Sequence, residues 1–439
     1  MALATLVLAG EVIFFLPFVM PRVFKPTLLA VLGISNLELG TYFSAYGVVA
    51  IGAYLLGGPL ADRFAPGGLM AAALASTGLG GIYLYTLPPT QGMLWVYAGW
   101  GLTTILLFWA AMLRATRVIG GARRQGLAFG ALDGGRGLVA GLIATVGVWV
   151  LGTWLPGGGA DASPEVQRAA FRAVVAAGTG LVFATAALTY LVLRRLPGGG
   201  AQAGGSGAAS GVDWSRVREV LRKRALWLNA LVILCAYSGY RVLDDISLLA
   251  SDALGYDEVG AARLGALGLY IRPVAAVGAG WLADRYAASR MSTWSFVLMG
   301  AGGLAVVAGL LSGALLWAVV LGVVLASLGV YALRGLYFAL IAEAGTPLAL
   351  TGTAVGLVSD VGYLPDIYMA PLMGWLLDGG PGVTGHVWVF AVSVGFAVVG
   401  GVGAWAIARK SPPLGPPTLL APPAPAVAPG GSIGNTPRS

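Results

Sequence analysis

Charge is scarce in this chain: Asp, Glu, Lys and Arg make up 10% of 439 residues, against 58% apolar. Water-facing domains average roughly 25% charged residues, so this composition cannot coat a soluble globule. Cysteine and histidine are scarcer still, with Cys235 and His386 the single examples of each. One cysteine excludes an internal disulfide and a cysteine-built metal cluster, and one histidine gives no basis for a histidine zinc or haem centre. No metal or cofactor is therefore expected. Lysine is limited to Lys25, Lys223 and Lys410, so arginine carries nearly all of the net charge of +8. No G-x-x-x-x-G-K-[ST] loop occurs, which removes ATP as an expected energy source. No nucleophile–base pair or metal motif stands out, so an enzyme is not expected.

What the chain does have is apolar length. Mean hydropathy is +0.84, and glycine is frequent at 69 residues, as where helices approach closely in lipid. A helix needs about 20 apolar residues to cross the hydrocarbon core. Counted this way, the sequence predicts an all-α membrane protein of about twelve spans. They fall at 3–32, 38–60, 68–88, 92–118, 126–154 and 169–195 in the first half. The second half has 225–251, 259–283, 291–312, 315–343, 350–378 and 384–409. The apolar start lacks a basic flank and a small-residue cleavage site, so it reads as a retained first span.

Loop charge predicts orientation. Arg63, Arg117, Arg123, Arg124, Arg194, Arg195, the stretch from Arg216 to Arg224, Arg285, Arg290, Arg409 and Lys410 share one side. Glu38, Asp161, Glu165, Asp252, Asp257, Glu258 and Asp378 share the other, with Arg168 the main basic exception. The positive-inside rule puts both termini in the cytoplasm of an integral, bacterial inner-membrane protein. The charges flank apolar spans, so nucleic acid is not an expected partner. Domain limits follow: an N-terminal six-helix bundle over 1–195, a cytoplasmic linker over 196–224, a C-terminal bundle over 225–410 and a disordered tail over 411–439. The linker opens with a flexible Gly/Ser/Ala stretch and closes with a basic segment, 213–224, suited to lie on an anionic leaflet.

An internal repeat spans half the chain. GGPLADRF at 57–64 recurs as GAGWLADRY at 278–286, setting Asp62 against Asp284, 222 residues apart. Arg22 and Arg241 are 219 apart, and Leu113-Arg114 and Leu333-Arg334 are 220 apart. Three pairs with nearly one offset point to two six-span halves, a hallmark of secondary transporters. The G-x-L-A-D-R runs at Gly58 to Arg63 and Gly280 to Arg285 resemble the signature loop of the major facilitator superfamily. The resemblance implies two pseudo-symmetric bundles that rock about a central site. It also implies that the loops of Gly58, Asp62, Arg63, Gly280, Asp284 and Arg285 latch the cytoplasmic side. The first copy departs from the family's pattern, continuing with Ala65-Pro66-Gly67-Gly68.

Charge inside the spans marks the candidate site, since each buried ionisable group costs about 2.5–3.5 kcal/mol on insertion scales. The repeat places Arg22 and Arg241 opposite one another near mid-membrane. Two arginine forks there can grip carboxylate, phosphate or sulfonate oxygens in bidentate fashion. This pair resembles the organophosphate:phosphate antiporter branch, whose first and seventh spans each carry a substrate-binding arginine. The chain lacks that branch's basic neighbour beside the first arginine, having Val23 there and Lys25 one turn on, and lacks a histidine in the central spans. Lys25, Tyr46, Tyr237 and Tyr240 join the arginines as expected substrate contacts. Alternatively, the PRVFKP run is an interfacial loop and Arg241 pairs with Asp244 or Asp245. Asp133 and Arg136 are spaced to neutralise each other, while Arg272, Asp360 and Asp366 suit either the cavity or interhelical pairs. Glu11 lies about 16 Å from Arg22 along one helix face, too far to pair with it. It reads as either a proton-coupling carboxylate or a structural hydrogen-bonded one.

The expected function is secondary transport of a small organic anion by a monomer, with a coupling ion or counter-substrate. Two alternatives remain: proton-coupled transport of a neutral or cationic solute, drug efflux included, with structural arginines; and a transporter-like sensor.

Overall fold

The computed structural model describes residues 1–121, 125–159, 162–194, 196, 224–313, 316–343, 361–380 and 382–409. The linker stretch 197–223 and the tail from 410 lie outside them. All described secondary structure is helical.

The first span is broken where a continuous 3–32 helix was expected. Helix α1 (Ala2–Val12) passes into a π-turn over Phe15–Val19, where Pro17 offers no N–H. A short helix, α2 (Met20–Val23), follows; the backbone bends at Phe24 (φ −109°, ψ 30°) and restarts as α3 (Lys25–Leu32), with Pro26 in its first turn. Gly33 stops it in the left-handed conformation (φ 65°) that glycine adopts without strain. Ser35 then opens α4 (Asn36–Arg63) with a full capping box to Glu38. The remaining spans of this half are α5 (Pro66–Tyr85), α6 (Thr90–Gly101) running through a π-stretch into α7 (Ala110–Gly120), α8 (Gln125–Trp154) and α9 (Pro164–Leu193).

The second half repeats the device. Helix α10 (Arg224–Val242) gives way to a 3-10 turn, bends at Asp245 (φ −102°, ψ 7°) and restarts as α11 (Ile246–Leu254), stopped by left-handed Gly255. Asp257 caps α12 (Glu258–Tyr286), accepting from the Gly260 N–H at 2.6 Å. Helices α13 (Ala288–Ser312), α14 (Leu316–Glu343), α15 (Pro365–Gly379) and α16 (Val383–Ala408) complete it. Among the described residues ten helical stretches are long and apolar enough to span a membrane, or eleven with the bent pair Lys25–Leu32 and Asn36–Tyr54. Part of the eleventh expected span, 350–360, falls outside the described residues.

The surface is that of a protein in lipid. Trp95, Trp149, Trp317, Trp375 and Trp388 are exposed near one end of the bundle, and Trp227, Trp281, Trp294 and Trp405 near the other. Two tryptophan girdles with exposed aliphatics between them match a bilayer's two interfaces. Inside, buried apolar residues form two large clusters. One draws on Leu6 to Leu193 together with Val259, Ala262, Ala266 and Leu269 of α12; the other runs from Leu226 to Ile407.

Two seams join the halves, and both favour one end. In the first, α4 meets α15: a Cβ on Gly40 would stand 2.5 Å from the Ala370 carbonyl oxygen, and one on Gly47 would stand 2.8 Å from that of Asp366. In the second, α8 meets α12: Gly137 faces Arg272 and Pro273, and Thr145 shares a 2.9 Å hydrogen bond with the Tyr270 hydroxyl. These glycines let the backbones approach to near contact. Each seam tightens toward the end carrying Ser35, Gly158, Asp257 and Asp378, here the far side. At the opposite end, the loop side, Arg63, Asp284 and Arg285 of the repeat loops are solvent-exposed.

Candidate functional site

The breaks in the first and seventh spans set the site. The bend at Phe24 leaves Arg22 in the last turn of α2 and Lys25 in the first turn of α3, while the bend at Asp245 comes four residues after Arg241. Both arginines are buried, at 5% and 1% exposure, and so is Lys25. They meet on one carboxylate. Arg22 donates from Nε to Asp244 Oδ1 at 2.6 Å and pairs with the same oxygen through Nη2, while Arg241 donates from Nη1 to Asp244 Oδ2 at 2.9 Å. Each half of the protein thus contributes one guanidinium to a single acid. Arg241 Nη2 pairs with Asp366 Oδ1 at 2.6 Å, and Lys25 pairs with Asp245 across the halves. Ser247 donates to the Arg22 carbonyl at 2.6 Å, fixing the backbone where the helix is broken.

Aromatic faces complete the surroundings. The Arg22 guanidinium lies 4.7 Å from the Tyr240 ring centre, and Arg241 lies 4.9 Å from Phe18 and 5.3 Å from Phe43. Such faces hold desolvated cations by their quadrupole, worth up to about 2 kcal/mol each. Tyr237 packs edge-on to Tyr363 near Arg241, and Arg334 sits 4.0 Å over Tyr240. A tight cleft with open room of only about 20 Å³ borders Arg22, Lys25, Arg241, Asp244 and Phe43, and reaches Asn36, Leu39 and Met373 on the far side. Tyr46, expected as a substrate contact, is committed to packing: its hydroxyl bonds Thr104 at 2.8 Å and its ring meets Phe18 edge-on.

A second charge cluster lies nearer the loop side, and it corrects two expectations. Asp133 and Arg136 do not pair with each other. Arg136 Nε lies 3.2 Å from Glu11 Oε2, and Asp133 Oδ1 lies 3.4 Å from Arg272 Nη2. The three-residue spacing allows a pair on one helix, but here each partner on a neighbouring helix takes the charge. Nor is Glu11 a lone carboxylate, because Arg272 Nη1 also approaches it at 3.8 Å. Arg136 rests over Phe14 and Trp109 at 5.4 and 5.5 Å. Asp366, left open in the sequence as cavity or ion-pair residue, belongs to the Arg241 pair. Its signal is a carboxylate one residue after Pro365, at the start of α15.

The remaining candidates lie apart. Asp360 falls outside the described residues, as do the surroundings of Gly58 and the side chain of Asp62. Among the repeat loops, Arg285 stacks 3.9 Å over Trp281 of its own helix, and a Cβ on Gly280 would meet open space. His386 Nε2 stands 3.2 Å from Asp252 Oδ2 toward the far side. Among the described residues no group of three or more His, Cys, Asp or Glu could hold a metal.

Two six-span bundles closed at one end around a buried charge cluster define a membrane transporter. Residues 7–367 match the model of the Major Facilitator Superfamily, and the chain belongs to that family. Its members carry solutes by secondary transport with alternating access. Two relatives are inner membrane proteins of Escherichia coli K12. YqcE is 26% identical over 381 residues, covering 84% of this chain and 86% of that protein. YihN is 27% identical over 421 residues, covering 90% and 92%. Among solved structures, a bacterial homologue of the human lysosomal transporter Spinster, inward-facing and unoccupied, superposes with a TM-score of 0.70. It is 15% identical and covers 93% of this chain and 96% of that one. The nucleoside transporter NupG aligns at TM-score 0.66 and 13% identity, over 93% and 99%.

Proposed function

We propose that this transporter carries a small organic anion, seated between Arg22 and Arg241. One observation carries the reading: a carboxylate, that of Asp244, already sits between these two guanidiniums, one from each half. A site that grips an internal acid from both halves has the donor geometry to grip a substrate acid, and its hold on both halves links occupancy to rocking. Arg241 also keeps an Nε–H with no hydrogen-bond partner among the described residues. Lys25, Tyr237 and Tyr240 shape the seat, the Asp62 and Asp284 loops act as latches when the loop side closes, and the bundles divide at the linker 196–224. Taking the loop side as cytoplasmic, the form described is open inward and the protein works as an inner-membrane monomer with cytoplasmic termini.

The test is flux into proteoliposomes of gluconate, glycerol 3-phosphate and isethionate, a carboxylate, a phosphate ester and a sulfonate. At least one is taken up, and Arg22→Gln or Arg241→Gln abolishes that uptake while the protein still reaches the membrane. Normal uptake by both variants would sink the clamp. A second reading has support in the full pairing of the arginines: they are structural, and the solute is neutral or cationic. Thermal stabilisation by neutral sugars or amines, and not by the three anions, would favour it.

A further inference from the structure

We infer that Asp244 is an exchangeable stand-in for the substrate, and that its displacement couples transport to one proton per anion; this rests on the anion reading above. The argument begins with competition for donors. A substrate acid that takes the forks of Arg22 and Arg241 must displace the carboxylate now holding them. Asp244 then has nowhere charged to go. Its neighbours are already engaged: Lys25 by Asp245, and the other fork of Arg241 by Asp366. The other groups facing it are the Tyr240 hydroxyl, on its own span, and Tyr331 across Arg22. Arg334 stands over Tyr240 and Asp366 beyond Arg241. Asp244 itself is 15% exposed in its side chain. A carboxylate stripped of its cations at this depth is neutralised by proton uptake rather than left charged.

The charge count then closes in every state. The clamp itself holds Arg22, Arg241, Asp244 and Asp366, two cations and two anions, with Arg334 beside Tyr240 alike in both states. The loaded site holds a monoanion and a protonated Asp244 in place of the Asp244 carboxylate, so its charge is the same. The proton is taken up on an Asp244 oxygen and leaves when that carboxylate reseats. Both forms can rock, because loading leaves the net charge of the site unchanged. The protein is therefore a net proton–anion symporter. An obligate exchanger, by contrast, would have an empty clamp that carries surplus positive charge and cannot return.

Asp244→Asn separates the two modes. With asparagine the loaded site keeps the balanced charge, while the empty site gains one net positive charge. Proteoliposomes are loaded with pyranine and given gluconate, glycerol 3-phosphate or isethionate, whichever the wild type accumulates. The wild type acidifies the lumen with uptake, one proton per gluconate or isethionate, and more for glycerol 3-phosphate, which crosses in its singly charged form and sheds a further proton inside. In the Asp244→Asn variant net uptake falls at least about tenfold, as for a broken buried pair, while counterflow exchange persists. Wild-type uptake of an anion without lumen acidification overturns the coupling and leaves the anion reading standing. So does a variant with unaltered net uptake. If the wild type carries none of the three, the anion reading fails and the coupling falls with it. Should the variant not fold, the wild-type proton count alone decides.

Discussion

The two charge clusters share a plan and differ in grip. In each, one carboxylate stands between an arginine of the first half and an arginine of the second: Asp244 between Arg22 and Arg241, Glu11 between Arg136 and Arg272. The far-side cluster is bonded at 2.6 and 2.9 Å, with a second buried pair beside it. The loop-side cluster is held at 3.2 and 3.8 Å, and its outer member, Asp133, is 55% exposed in its side chain. The difference teaches where each half lets go. Ion pairs are stronger where the charges meet at short hydrogen-bonded distance and weaker where the geometry is loose. The tight cluster fastens the closed end, and the loose one lies where the halves begin to part.

The sharpest way to break that contrast is to remove the most buried cation. Arg241→Gln strips Asp244 of one partner and Asp366 of its cation, and should destabilise the protein by about 3–5 kcal/mol, the cost of breaking a buried pair. Arg136→Gln should cost clearly less, because Arg272 still faces Glu11. Melting temperatures of the two variants in one detergent check the order. Equal losses would mean the clusters are energetically alike.

A double-mutant cycle isolates the pairs themselves. Arg22→Gln with Asp244→Asn should show a coupling of about 2–3 kcal/mol, and Arg272→Gln with Glu11→Gln one of about 0.5–1 kcal/mol. A larger value for the second pair would reverse the assignment of tight and loose ends.

Next in size is the seam beside the tight cluster. Gly40→Ala places a methyl 2.5 Å from the Ala370 carbonyl oxygen, where neither backbone can yield without parting α4 from α15. Overpacking of this kind costs about 1–3 kcal/mol, and here it bears on the far-side-closed form. A cysteine introduced at Leu39, a position now 2% exposed, should label faster in this background. The same cysteine with Gly52→Ala, where a Cβ meets open space, should label at the unmodified rate.

Much of this was legible in the sequence, and the rest was hidden for a definite reason. Span lengths and the offset of the LADR runs carry the architecture, because lipid fixes how long an apolar helix must be. The same offset matches Arg22 with Arg241. Partner choice was not legible. Spacing along a helix says which residues share a face, but not which neighbouring helix that face meets. Asp133 and Arg136 satisfy the three-residue rule yet form no ion pair with each other, since Arg272 and Glu11 arrive from α12 and α1. Arg241 and Asp244 have the same spacing and do pair, because the 3-10 turn after Val242 turns that carboxylate back toward Arg241 and across to Arg22. The break in the first span was visible only as prolines at 17, 21 and 26.

The smallest expected effect lies beyond both clusters, at the far-side mouth. There Asp378, in the last turn of α15, accepts from the Leu37 N–H at 2.8 Å and from the Asn36 N–H and side-chain amide at 3.1 and 3.0 Å. One half's carboxylate thus satisfies orphan donors at the start of the other half's α4 and sits at the positive end of its dipole. The contact is exposed, so its charge is screened and its share of the closure is about 0.5–1 kcal/mol. Asp378→Ala should raise the labelling of the Leu39 cysteine by a few-fold, less than Gly40→Ala does, and leave the melting temperature nearly unmoved. An effect as large as that of Arg241→Gln would mean that this exposed contact, and not the buried clamp, holds the far side shut.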